Sequence, residues 1–170
     1  MKDNLFKKFL SFSYGSWIGL VIGFITTLIT TRILSPGDFG KASMFILAMN
    51  LCMIFIIFGT DQAFVRFFYE ENEEKRGGLL YKSLKIPLIN SIVFSLIILI
   101  FNKQITLFLF GEENKKLSFI LIIGILNQVL YRYGTLVIRM QQKGNRFSIL
   151  EILNKSFNLV LVILFSLFLG

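Results

Sequence analysis

The segment from Phe9 to Thr31 contains no charged residue, and it is bounded by Lys7 and Lys8 on one side and by Arg32 on the other. As a helix with a rise of ~1.5 Å per residue, this run is about 35 Å long, enough to cross a hydrocarbon core of roughly 30 Å. The chain is therefore expected to fold in a lipid bilayer, where a charged side chain needs a partner or a wet cavity.

The composition excludes several classes of function. Hydrophobic residues make up 55% of the chain and charged residues 16%, against about 25% charged residues in typical soluble domains. There is no His and one Cys, Cys52, so an intrachain disulfide, a His-based catalytic triad and a His metal site are excluded. We predict no metal, no cofactor and no catalytic residue, and we expect that the protein is not an enzyme.

The net charge of +8 would be compatible with a nucleic-acid partner. The basic residues lie between apolar runs and form no dense patch interleaved with aromatic residues, so no nucleic acid is expected as a partner. Anionic membrane lipids explain this distribution better.

The predicted fold is all-α, a polytopic transmembrane helix bundle that occupies residues 1–170. The N-terminal run is longer than the core of a signal peptide and lacks a small-residue cleavage site, so the first span is expected to be retained. The third charge-free run begins at Ile86, which places Pro87 in the first turn of that run, where its missing N–H is tolerated. About five transmembrane helices are predicted, over residues 9–33, 41–62, 80–102, 117–139 and 147–170.

The connections between these helices are short. Residues 34–40 form a turn, with Asp38 as the expected N-cap of the second helix. Residues 70–76 are a solvated charge run, and residues 141–145 are a tight turn. The Lys and Arg residues outside the spans are unequally distributed between the two sides of the membrane. The side with more of them is expected to be cytoplasmic, and the N-terminus lies on that side. That side contains Lys2, Lys7, Lys8, Arg66, Lys75, Arg76, Lys82, Lys85, Arg139, Lys143 and Arg146, and the other contains Arg32, Lys41, Lys103, Lys115 and Lys116.

Gly15, Gly19 and Gly23 repeat at every fourth position of the first helix. Small residues at this spacing let helix backbones approach closely in lipid. The face they form is predicted to pack against another helix. A second interpretation is that such a smooth face slides during a conformational change.

Polar residues line one face of the fourth helix, namely Gly124, Gln128, Arg132, Thr135 and Arg139, and one face of the fifth, namely Glu151, Asn154, Lys155 and Asn158. Antiparallel folding of this hairpin is expected to set Arg132 at the depth of Lys155 and near Glu151. Two interpretations stay open: a charge cluster that only links two helices, and a cationic cavity wall that meets an anionic substrate.

Residues 58–71 alternate aromatic and polar side chains, as expected of an anchor at the head-group level. Asp61 and Arg66 are close enough in sequence to pair locally. The segment Thr31-Arg32-Ile33-Leu34-Ser35-Pro36-Gly37-Asp38-Phe39-Gly40 after the first helix, followed by Gly59 to Tyr69 after the second, resembles the N-terminal part of the bacterial polysaccharide flippases. These are the O-antigen and capsule exporters of the multidrug/oligosaccharidyl-lipid/polysaccharide superfamily.

The resemblance implies a multi-pass transporter of the bacterial inner membrane with two lobes around a central cavity. Its substrate would be an undecaprenyl-diphosphate-linked oligosaccharide repeat unit, carried across the membrane for O-antigen, capsule or exopolysaccharide synthesis. Five helices would form an incomplete first lobe, so the missing C-terminal helices or lobe are expected partners. Family members often line the cavity with basic residues, and the candidates here are Arg132, Lys155, Arg66 and Arg32, with Glu151 beside them.

Two alternatives belong to other classes. A membrane enzyme of the same pathway, such as a glycan polymerase, usually carries a large external loop with reactive groups, whereas the loops here are short. A cation-coupled drug exporter of the same superfamily would favour acidic intramembrane residues, for which Glu151 and Asp61 are the candidates.

Overall fold

The computed structural model describes the backbone of residues 2–169 and the side chains of residues 7–164. In this part of the chain the protein is helical and contains no strand, as predicted. The helices are α1 (Lys2–Ile33), α2 (Pro36–Ile57), α3 (Thr60–Phe67), α4 (Arg76–Ile100), α5 (Asn102–Phe110), α6 (Lys115–Met140) and α7 (Gly144–Leu169), with a 3-10 turn at Glu73–Lys75.

Five of these helices, α1, α2, α4, α6 and α7, are long and apolar enough to cross a membrane. The prediction of a polytopic all-α protein is therefore confirmed. The last residue of the fifth predicted helix, Gly170, lies outside the described residues, and so does the side chain of Lys2.

The chain divides into two compact units, described separately below. The first unit joins residues 1–40 to residues 138–170, and the second contains residues 41–137. The prediction of one bundle over residues 1–170 stays a prediction.

The start of α2 differs from the predicted cap. The N-cap is Ser35, whose Oγ accepts a hydrogen bond from the backbone N–H of Asp38 at 3.2 Å and donates to Asp38 Oδ2 at 2.6 Å. Pro36 occupies the first helical position, where a backbone N–H would have no intrahelical acceptor, so the N–H that proline lacks is not needed there. Asp38 is therefore the third residue of the helix and completes a reciprocal cap, rather than being the cap itself.

The second predicted helix ends earlier than residue 62. Phe58 and Gly59 both have positive φ angles, of 46° and 76°, and this left-handed pair stops α2 at Ile57. The short helix α3 then begins at Thr60. Helix α4 ends before Phe101, whose φ is −99°, and α5 starts directly after it. Helix α5 was not predicted from the sequence, and it closes on Gly111 with φ 73°.

Pro87 lies in the interior of α4, not in its first turn as predicted, because α4 begins at Arg76. Proline removes the N–H that would otherwise bond the carbonyl four residues earlier, that of Ser83. The hydroxyl of Tyr133 donates to this carbonyl at 3.3 Å. Ser91 is buried and bonds the Pro87 carbonyl at 2.7 Å, so the polar groups around the proline are satisfied from both sides.

In the first unit, α1 packs closely on α7. The N–H of Gly15 bonds Oγ of Ser148 at 3.2 Å, and Ser148 Oγ donates to the carbonyl of Ser11 at 2.7 Å. A Cβ added at Gly15 would overlap the backbone of Ser148, and one at Gly144 would overlap Ser11 and Phe12. Because these glycines have no side chain, the backbones of α1 and α7 can approach closely.

Gly19 and Gly23 differ in their surroundings. A Cβ at Gly19 would lie in ordinary contact, 3.7 Å from Lys155 and 3.8 Å from Glu151. A Cβ at Gly23 would meet no described atom within 4 Å. Within the described residues, the predicted packing face therefore covers Gly15 and Gly19 and excludes Gly23.

The second unit has a continuous apolar core. Leu121, Ile125, Val129 and Tyr133 lie at every fourth position of α6 and are almost fully buried. They pack against the C-terminal half of α2, where Met53, Ile56 and Ile57 are buried. This packing fixes the face that α6 presents to α2, and it places Arg132 directly beside the buried stripe.

Candidate functional site: the Asp61–Arg132 pair

Arg132 of α6 forms an ion pair with Asp61 in the first turn of α3. Nη2 and Nε of Arg132 both donate to Oδ2 of Asp61, at 2.6 and 3.1 Å. The side chain of Asp61 is 14% exposed and that of Arg132 is 53% exposed. The carboxylate is therefore the enclosed partner, and the guanidinium is the partner that other molecules reach.

The neighbouring residues repeat the contact between the same two helices. Thr60 Oγ1 and Tyr133 Oη lie 2.6 Å apart, so two consecutive residues of α3 meet two consecutive residues of α6. Tyr133 is 2% exposed. Because Thr60 donates its proton to the Ile57 carbonyl, the single hydroxyl proton of Tyr133 is shared between Thr60 and the Ser83 carbonyl of α4. The ion pair thus lies at the edge of a hydrogen-bonded junction of three helices.

The end of α2 contributes to this junction. Thr60 donates to the carbonyl of Ile57 at 2.6 Å, and the side-chain amide of Asn90 in α4 donates to the carbonyl of Ile56 at 3.0 Å. The last carbonyls of a helix have no intrahelical donor, and leaving them unpaired in an apolar region is costly. Thr60 and Asn90 supply those donors, and they thereby fix α3 where Asp61 can reach Arg132.

Arg132 lies within a candidate span and eight residues from the end of α6, a distance of about 12 Å along the helix. Two of its five N–H donors carry an N–H···O bond to Asp61. The remaining donors keep the planar geometry that matches a phosphate or a carboxylate. One turn earlier, the side-chain oxygen of Gln128 is buried and has no described hydrogen-bond partner.

Glu151 and Lys155, the other two members of the predicted cluster, lie on α7 in the first unit. Glu151 is half-buried and accepts a hydrogen bond from the hydroxyl of Ser16 at 3.0 Å. Lys155 is exposed, with its aliphatic stem beside Gly19. The prediction that Arg132 shares one depth with these two residues stays a prediction, since Arg132 belongs to the second unit.

The two remaining cationic candidates are exposed. Arg66 lies in the last turn of α3 with its guanidinium 5.6 Å from the ring centre of Phe67. The local pair that the sequence allowed between Arg66 and Asp61 does not form among the described side chains, because Asp61 bonds Arg132 instead. Arg32 lies in the last turn of α1, where a cation complements the helix dipole.

The pairing of Asp61 with Arg132 was not predicted from the sequence, and neither were the contacts of Thr60, Asn90 and Tyr133. An arginine in a span needs a carboxylate, and the sequence offered both Glu151 and Asp61. The hairpin argument favoured Glu151 because it lies nearer in the chain. The signal for Asp61 was its position just after the Phe58–Gly59 break, which starts a new helix.

Comparison with known proteins gives one match. A family model described as polysaccharide biosynthesis protein matches residues 5–170. Comparisons with curated proteins and with solved structures gave no significant match.

Proposed function

The chain belongs to the polysaccharide biosynthesis protein family, and we propose that it acts within this family as the N-terminal part of a lipid-linked oligosaccharide flippase. The proposed substrate is an undecaprenyl-diphosphate-linked repeat unit, moved across the bacterial inner membrane for O-antigen, capsule or exopolysaccharide synthesis. The observation that carries the proposal is the exposed guanidinium of Arg132, which lies in a span and is held by one enclosed carboxylate.

The proposed mechanism is an exchange of anions at Arg132. The ion pair with Asp61 is neutral overall, so a resting site does not attract anions strongly. A diphosphate first meets the free N–H donors of Arg132 and then competes with Asp61 for the others. Such an anion needs this compensation, because transfer of a charged group out of water without a partner is very unfavourable.

The exchange also suggests how binding is coupled to movement. Asp61 and Arg132 join α3 to α6, so weakening their pair loosens one of the contacts between these helices. Thr60 and Tyr133 hold the next contact along. Substrate binding would then shift the balance between two arrangements of the same helices, because the substrate has a higher affinity for the arrangement with Arg132 released.

Other residues are proposed to extend the site. The buried oxygen of Gln128 is an acceptor for a sugar hydroxyl one turn from Arg132. Lys155, Arg66 and Arg32 are proposed as further cations that the substrate meets, with Glu151, on the same helix as Lys155, limiting the positive charge of α7. The remaining helices or lobe of the transporter would supply the other walls.

The proposed orientation puts the N-terminus in the cytoplasm, which follows from the unequal distribution of Lys and Arg between the two sets of helix ends. We propose no catalytic residue, cofactor or enzymatic step, since a flippase moves its substrate without changing its bonds. Export of surface polysaccharide in a strain that depends on this protein tests the proposal, with variants of Arg132 and Asp61 compared at equal protein level.

A further inference from the structure

Two adjoining cavities lie on the first unit at the end where α7 begins. The larger, of about 650 Å³, follows one face of α1 past Lys7, Leu10, Tyr14, Trp17 and Ile18. The smaller, of about 370 Å³, is formed by the turn between α6 and α7, from Gln142 to Arg146. Ser11 and Asn145 line both cavities, so the two are continuous at their shared wall.

The smaller cavity is cationic. Lys143 and Arg146 line it, and Lys7 stands at the mouth of the larger cavity beside it. None of these three cations forms an ion pair with a carboxylate among the described side chains, residues 7–164. The first turn of α7 also lies here, and the N-terminus of a helix carries unpaired N–H groups and a partial positive charge. The cavity therefore has several donors for an anion.

The larger cavity is mostly apolar. Trp17 is 70% exposed, and Leu10 and Ile18 are also exposed. The hydroxyl of Tyr14 donates to the carbonyl of Asn145 at 3.3 Å, which links the wall of the larger cavity to the start of α7. From Lys7 to Ile18 the groove is about 16 Å long, and it runs from the charged end of α1 into its charge-free segment.

We infer that this pair of cavities is a binding site for an anionic glycerophospholipid. Its phosphate lies between Lys7, Arg146 and the first turn of α7, and one acyl chain follows Leu10, Trp17 and Ile18. A soluble anion would use only the cationic cavity and would leave the apolar groove uncovered. A zwitterionic lipid carries a phosphate too, but it adds a cation of its own, which Lys7, Lys143 and Arg146 repel. Charge complementarity therefore selects the anionic lipid.

This site shares no residue with the Asp61–Arg132 pair of the proposed transport step. The lipid contacts α1 through Lys7 and Trp17 and α7 through Arg146, so it joins the two helices at their ends. A ligand that binds only the packed form of the pair stabilises it. The role assigned to the lipid is to hold α1 on α7, not to be carried across the membrane.

Trp17 is the single tryptophan of the chain and lines the groove, so its fluorescence reports on the lipid that occupies the site. The full chain is reconstituted in phosphatidylcholine vesicles that contain a minor fraction of brominated phosphatidylglycerol or, separately, of brominated phosphatidylcholine. Bromine quenches tryptophan on contact. Brominated phosphatidylglycerol is expected to quench Trp17 more strongly than brominated phosphatidylcholine at the same mole fraction.

The variant Lys7→Gln/Arg146→Gln is expected to lose this excess quenching, whereas the control Lys115→Gln/Lys116→Gln, which removes two cations elsewhere, keeps it. Equal quenching by the two brominated lipids in the native protein would overturn the proposal. Displacement of brominated phosphatidylglycerol by a polyprenyl diphosphate, but not by unlabelled phosphatidylglycerol, would also overturn it and would assign the groove to the transported lipid. Because Arg132 is unchanged throughout, either result leaves the proposed function to its own test.

Discussion

The hydroxyl of Tyr133 lies 3.3 Å from the carbonyl oxygen of Ser83, the acceptor that Pro87 leaves without its helical donor. A residue of α6 therefore repairs a hydrogen bond that is missing inside α4. The same hydroxyl lies 2.6 Å from Thr60, so one buried side chain joins the kinked helix, the start of α3 and the helix that carries Arg132.

The first prediction concerns this repair. Tyr133→Phe should lower the stability of the protein by about 1 kcal/mol, since it removes a hydroxyl that bonds the part-buried Ser83 carbonyl and Thr60. Thermal unfolding in a mild detergent measures the change. Tyr131→Phe is the control, because Tyr131 lies on the same helix and its hydroxyl has no described hydrogen bond.

A substitution of Pro87 tests the same hydrogen bond between Tyr133 and the Ser83 carbonyl. Pro87→Ala returns an N–H that bonds the Ser83 carbonyl within α4. In that background Tyr133→Phe should cost less than it does alone. Additive effects of the two substitutions would contradict the proposed link between Pro87 and Tyr133.

The second prediction uses two glycines of α1. Gly15→Ala should destabilise the packing of α1 on α7, because its Cβ would overlap the backbone of Ser148. Overpacking costs about 1–3 kcal/mol, which exceeds the gain of ~1 kcal/mol from a better helix former. Gly23→Ala meets open space and should be neutral or stabilising. Unfolding temperatures that fall equally in both variants would show that contact with Ser148 is not the cause.

The third prediction concerns orientation. In a Cys52→Ser background, a cysteine at Asn72 should react with a membrane-impermeant maleimide only from the cytoplasmic side, and one at Glu113 only from the outside. Glu113 is suitable because its ion pair with Lys103 is exposed and contributes little to stability. Labelling of Asn72 from outside intact cells would reverse the proposed topology.

The sequence predicted the parts of this fold that depend on hydropathy. Five charge-free or nearly charge-free segments gave five candidate spans, because the membrane imposes one length and one polarity on each. The break at Phe58 escaped prediction, since the charge-free run Ala42 to Thr60 continues through it. Helix α5 escaped prediction because its nine residues are too few to form a span. The position of Pro87 was wrong for a related reason: the helix extends to Arg76, beyond the apolar run.

The candidate site was less accessible from the sequence. Arg132 was predicted as a site residue because a cation in a membrane span needs a partner or a wet cavity. Its partner depends on the tertiary packing of α2, α3 and α6, which brings together residues that lie far apart in the chain. The helical pattern of one segment cannot show whether Asp61 or Glu151 forms the ion pair with Arg132. The hydrogen-bonding roles of Thr60 and Asn90 arise only after α2 has ended at Ile57.

The fourth prediction separates a structural pair from a binding site. Arg132→Ala alone leaves the enclosed carboxylate of Asp61 without its partner, so loss of protein could explain loss of export. The double variant Asp61→Asn/Arg132→Gln removes both charges while keeping hydrogen-bonding side chains of similar size. It should accumulate in the membrane like the native protein, and so should the control Arg139→Gln on the same helix.

The most direct measurement is surface polysaccharide per unit of membrane-inserted protein, in a strain whose surface polysaccharide depends on this protein. If Arg132 binds the diphosphate, Asp61→Asn/Arg132→Gln should abolish export at normal protein level, Arg132→Lys should retain part of it because the charge remains without the planar fork, and Arg139→Gln should export normally. Normal export by Asp61→Asn/Arg132→Gln would contradict the account and would leave the Asp61–Arg132 pair as a structural link between α3 and α6.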